Sequence, residues 1–115
     1  MFLLKLLLTL LLFTSAILAQ TSSYMTYPYD GITWKVGERV KVAFSPGQPN
    51  ETVSVFFDND RSQLLAAGSV TNGAIFNFQV PHGAMTKGGV SVLVAVHRVN
   101  RYLASVDTIT IHVVS

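Results

Sequence analysis

Three histidines, six acidic residues, four tyrosines and one tryptophan are the side chains of this 115-residue chain that could do chemistry; cysteine is absent. With no cysteine and no Gly-x-Ser-x-Gly elbow, no nucleophile stands out. Glycoside hydrolysis needs two carboxylates facing each other across a cleft, and the six acids are scattered mainly at turns and strand ends. Asp107 is the exception. It falls on an inward face, where a buried carboxylate needs a partner, and Arg98 near the same turn is the expected one. His97 is expected to face Ala104, with His112 eight residues further along that strand, so the two sit about 26 Å apart at about 3.3 Å per residue. His82 could approach His112, but two histidines without a carboxylate make a poor metal site. Asp58-Asn59-Asp60 reads as a hairpin turn rather than a calcium loop. The pattern predicts no catalytic residue, no metal site and no cofactor.

Binding chemistry is better represented. Tyr24, Tyr27, Tyr29 and Trp34 cluster in sequence, and flat apolar rings with polar tips stack well on sugars. Tyr27, Tyr29 and Trp34 are therefore the candidate ligand contacts, set against a purely structural reading in which Trp34 fills the core and the tyrosines cap a sheet edge. Phe56 and Leu93 point away from their strands' expected cores and, if adjacent, form an exposed apolar patch; a covering loop is the other explanation. Asn50-Glu51-Thr52 is an N-glycosylation sequon in a predicted loop after Pro46-Gly47-Gln48-Pro49, so Asn50 is a candidate glycan site.

The elements that must position these residues are strands. Val40, Val42 and Phe44 alternate with Arg39, Lys41 and Ala43, and Val53, Val55 and Phe57 with Ser54 and Phe56. Phe76, Phe78 and Val80 alternate with Asn77 and Gln79, and Ile109, Ile111 and Val113 with Thr108, Thr110 and His112. The cleanest stripe is Val90, Val92, Val94 and Val96, predicted to face inward opposite Ser91, Leu93, Ala95 and His97. Alternation of this kind means half-buried antiparallel strands. Turn residues separate them at Ser45-Pro46-Gly47, Asp58-Asn59-Asp60, Thr71-Asn72-Gly73 and Pro81 through Gly89. Ser62–Gly68 reads as a helical turn or a short edge strand. About seven strands at this spacing fit an all-β, immunoglobulin-like or fibronectin-III-like antiparallel sandwich. The parity of the last two stripes supports a hairpin with a two- or four-residue turn. One at Asn100-Arg101 pairs Val92 with Ile109 and Val96 with Ser105, with a longer loop as the alternative because Asn-Arg is not an ideal type I′ pair.

Met1–Ala19 has one charge, Lys5, in a leucine-rich run ending Ser15-Ala16-Ile17-Leu18-Ala19. This is the layout of a secretory signal peptide, with an uncleaved anchor as the alternative. Residues 20–115 then form a single domain, which must stabilise itself without disulfides. Removing Lys5 leaves seven basic against six acidic residues. Near-neutrality gives no electrostatic claim on nucleic acid, and no membrane contact is expected once the leader is removed.

The stretch Tyr27-Pro28-Tyr29-Asp30-Gly31-Ile32-Thr33-Trp34-Lys35-Val36-Gly37-Glu38, running into the alternating strand that ends at Phe44, resembles the opening of the fungal cell-wall-synthesis N-terminal domain. That domain is the Ig-like module of Ser/Thr-rich GPI-anchored surface proteins. Phe76-Asn77-Phe78-Gln79-Val80-Pro81 and Ser105-Val106-Asp107-Thr108-Ile109 are similar to later strands of the family. Phe44 stands where the family more often has Trp, and no Ser/Thr-rich stalk follows. The resemblance implies a secreted, non-catalytic module of the fungal cell wall or extracellular matrix, with cell-wall polysaccharide or glycoprotein as partner. The alternative is a secreted protein-protein interaction module, an effector or inhibitor, on the same fold.

Overall fold

The computed structural model describes residues 21–115; the leader-like segment 1–19 lies outside them. Eight strands follow one another: β1 Met25–Tyr27, β2 Ile32–Lys35, β3 Arg39–Phe44, β4 Glu51–Phe57, β5 Ala66–Ser69, β6 Ala74–Gln79, β7 Val90–Val99 and β8 Tyr102–Val114. They form a three-stranded sheet, β1-β3-β6, and a five-stranded sheet, β2-β8-β7-β4-β5. The fold is an all-β, Ig-like sandwich, with β1, β3 and β6 in one layer and β2, β8, β7, β4 and β5 in the other. Ser62–Gly68 contributes the start of edge strand β5, and a short 3₁₀ turn, His82–Ala84, sits in the predicted Pro81–Gly89 loop.

One pairing departs from the antiparallel expectation: β2 runs parallel to β8, with Ile32 opposite Ile111 and Trp34 opposite Val113. The chain leaves the first sheet after Tyr27 and enters the second at Ile32, so the N-terminal strand serves both layers. Parallel neighbours need a long crossover, and here the rest of the domain supplies it.

The inward stripes of β3, β4, β6 and β8 are those the alternation predicts. Val42, Val53, Val55, Phe57, Val80, Ile111 and Val113 all lie in the core. Trp34 is 2 % exposed. Its ring meets Phe57 edge-on at 6.5 Å and Phe78 at 5.8 Å, which joins the two sheets.

β7 reverses the prediction. Ser91, Leu93, Ala95 and His97 are buried, and the valine stripe faces outward. The cause is one residue. Asn100 and Arg101 both have positive φ, 51° and 73°, and close a two-residue loop of the I′ kind. Val99 pairs with Tyr102 and Arg98 with Leu103 as expected, but His97 then pairs with Ser105, not Ala104. Ala104 is an extra residue on β8, a β-bulge. Beyond it Leu93, not Val92, faces Ile109. A one-residue slip turns a whole stripe to the other face. β4 agrees from the opposite side, pairing Phe57 with Leu93 and Val55 with Ala95.

This register predicts the cost of truncation on each face. Leu93→Ala should lose about 2–5 kcal/mol of unfolding free energy. Val92→Thr, on the outer face, should stay within about 1 kcal/mol. Urea unfolding of the two variants checks it; the reverse ranking would contradict the bulged register.

Candidate functional site

The bulge creates a polar node inside one end of the sandwich. Glu51 opens β4, His97 lies near the end of β7 and Asp107 is on β8; Glu51 and His97 are 0 % exposed. His97 Nδ1 lies 3.1 Å from Glu51 Oε2, and Nε2 lies 2.8 Å from Asp107 Oδ2. The carboxylates also accept main-chain bonds: Glu51 from the N–H groups of Ser23 and Gln48, both at 3.0 Å, and Asp107 from Met25 N–H at 2.9 Å. Phe44 packs edge-on against the imidazole at 5.5 Å. Burial pushes the His97 pKa down, but hydrogen bonding and charge from Asp107, then from Glu51, outweigh it and hold the pKa above the ordinary histidine value. A carboxylate oxygen faces each ring nitrogen, so the protonated ring donates from both. Through the two carboxylates it ties the N-terminal segment to β4, β7 and β8.

Two expectations are corrected here. Asp107 is partnered by His97 rather than by Arg98, because the bulge turns Arg98 outward into solvent. His97 faces Ser105, not Ala104. The node was partly visible in the sequence, since Glu51 is in phase with inward Val53, Val55 and Phe57. Its imidazole nitrogens point at different carboxylates, so the three donors do not converge, and among the described residues no group of three His, Cys, Asp or Glu side chains could hold a metal ion.

The aromatic candidates are divided by the fold. Tyr27 and Tyr29 are in edge-on contact, ring centroids 6.2 Å apart, with Tyr29 exposed. Trp34 is committed to the core, and only its rim reaches an open cleft of about 330 Å³ lined also by Tyr27, Thr33, Glu38, Arg39, Lys41 and Asn77. Lys41 Nζ sits 5.4 Å from the centre of the Tyr27 ring. Trp34 therefore offers no free face for stacking. Asn50 is exposed in the turn before β4 with φ 63°, and Thr52 is exposed beside it while the intervening Glu51 points inward.

What sequence reasoning missed is the outer face of the five-stranded sheet. Cross-strand rows place Ser54, Val96 and Val106 together, then Phe56, Val94 and Thr108, with Val92 beside Thr110. Val94 is only 6 % exposed although it points away from the core. Phe56 is half-buried and carries the Arg61 guanidinium 5.9 Å from its ring centre. The expected Phe56–Leu93 patch does not form: Leu93 is core, and the residue opposite Phe56 is Val94.

No family model matches the chain, and no curated protein does. Among solved structures it is similar to the crystal structure of Dpr1 IG1 bound to DIP-eta IG1, at 7 % identity and a TM-score of 0.44, over 82 % of this chain and 95 % of that one. A likeness of this size says nothing about partner or activity; the Ig-like assignment rests on the order of strands in the two sheets.

The node makes stability pH-dependent. A histidine whose pKa is higher folded than unfolded contributes fully below its unfolded value, about 6.5, and the contribution is lost as pH rises through the folded value. Thermal midpoints should accordingly fall as pH is raised from about 6.5 through the folded pKa. Glu51→Gln should cost about 3–5 kcal/mol, as for one partner removed from a buried ion pair. Urea titrations of both proteins across this range provide the check.

Proposed function

We propose that the chain is a non-catalytic, extracellular binding module that docks a protein partner on the outer face of its five-stranded sheet. The carrying observation is the strip of Phe56, Val92, Val94, Val96 and Val106 on a face that solvent would normally render polar. Around it lie Thr52, Ser54, Thr108 and Thr110, with Arg61 and Arg98 further out. An apolar centre with a polar, arginine-bearing rim is the composition of a protein interface. Extracellular placement follows from the leader-like Met1–Ala19 segment.

A cell-wall polysaccharide is the second reading, supported by exposed Tyr29 and half-buried Tyr27 beside the cleft and by the family resemblance. It is weakened by the loss of Trp34 to the core.

The two readings separate cleanly. A photo-crosslinking residue at Ser54 should give a discrete protein adduct that Val96→Lys abolishes, while the same residue at Lys41, on the other sheet, gives none. Co-sedimentation with insoluble β-glucan, chitin and cellulose should show no selective retention. Retention on one polymer that is lost in a Tyr27→Ala, Tyr29→Ala variant, with no adduct from Ser54, would overturn the protein reading.

A further inference from the structure

β8 is thirteen residues long, but β2 covers only its last four, Ile111–Val114. Just before them Thr110 is closed off: its N–H donates to Asp30 Oδ1 at 2.8 Å, and its carbonyl accepts the N–H of Gly31 at 2.9 Å. Main-chain groups alternate in direction along a strand. Those of Thr108 and Val106 therefore point the same way as Thr110's, away from β7. Among the described residues no strand lies along that edge between Tyr102 and Ile109. Open edges template further pairing unless lysine, proline or a bulge guards them, and here the bulge at Ala104 confines the regular open edge to the residues after it. From Tyr102 to Thr110 the one charge is Asp107, and it is turned inward onto His97 and Met25 N–H. Tyr102, Leu103 and Val106 are 80 %, 67 % and 49 % exposed.

We propose that the free edge of β8 pairs antiparallel with β8 of a second copy of this chain, about a two-fold axis through Val106. The occupant is a second copy because the edge is complementary to itself, and the register follows from charge. Between the bulge at Ala104 and the closed-off Thr110, the residues with outward main-chain groups are Val106 and Thr108; an axis at Thr108 would set Val106 against Thr110, which leaves Val106 or Asp107. An axis at Asp107 would set two carboxylates opposite each other, which is destabilising. An axis at Val106 sets Val106 against Val106 and Asp107 against Ser105, with Thr108 opposite the bulge residue Ala104 and no like charges facing. The contact is isologous and closed. It also joins the two outer faces, since the row Ser54–Val96–Val106 continues into the same row of the other copy. The pairing goes beyond the docking of a different protein on that face and does not depend on it.

A charge swap at the axis tests both partner and register. In sedimentation velocity the purified protein should show a reversible monomer–dimer equilibrium between micromolar and millimolar concentration. Val106→Lys alone and Val106→Glu alone should each weaken it by on the order of tenfold or more, and an equimolar mixture of the two should restore the dimer. Thr108→Lys, facing Ala104 across the pair, should also weaken it. Amide exchange at Val106 and Thr108 should slow as concentration rises, and thermal midpoints of the variants, measured in dilute solution, should stay near that of the parent. A parent that remains monomeric throughout, a dimer indifferent to these changes, or failure of the lysine–glutamate mixture to associate would each overturn the proposal. So would an edge protected only on adding an extended peptide from another protein.

Discussion

A cationic imidazole can be buried only if carboxylates meet its nitrogens, and at His97 this requirement organises much of the domain. Glu51 and Asp107 must both reach the ring, so β4, β7 and β8 have one workable alignment at that end of the sheet. The alignment needs the extra residue Ala104, because the two-residue loop at Asn100–Arg101 otherwise delivers His97 to the outer face. The carboxylates have further lone pairs to satisfy, and the N–H groups of Ser23, Met25 and Gln48 fill them. The N-terminal segment is thereby drawn to the sandwich before β1 begins.

This node and the aromatic cluster divide the task that a disulfide performs in many sandwiches of this size. Glu51 and Phe57 stand at opposite ends of β4, six residues and about 20 Å apart. At one end Trp34 of the five-stranded sheet meets Phe78 of the other, and at the opposite end His97 meets Phe44. The two fastenings differ in character. Aromatic packing is nearly indifferent to pH, whereas the ionic node loses strength as the imidazolium deprotonates.

The same register that buries His97 also sets the surface. Turning Ser91, Leu93, Ala95 and His97 inward leaves the valines of β7 to meet solvent, where they join Phe56 and Val106. The apolar outer face is thus a direct consequence of the internal ion pairs. Asn50, at the turn before β4, stands at the node end of the domain, close to the register of Val99 and the exposed hairpin tip. A glycan there would stand beyond β7 from the free edge of β8.

The alternating residues of β3, β4, β6 and β8 made a two-layer β-sandwich legible, because each strand offers one apolar and one polar face and only one can be buried. The turn at Asn100–Arg101 and the coarse positions of the loops could be read in the same way. β7 could not. One of its faces is all valine and the other is Ser, Leu, Ala and His, so local hydrophobicity favours the wrong side. Its orientation came from β4 and β8, whose inward residues flank it on both edges, and from a bulge that no residue type announces. Trp34 shows the same limit, since an aromatic side chain suits a sugar or a core equally well and only the approach of Phe57 and Phe78 from different strands decides. Residue type determines what a strand can bury; register, a property of pairs of strands, decides what it does bury.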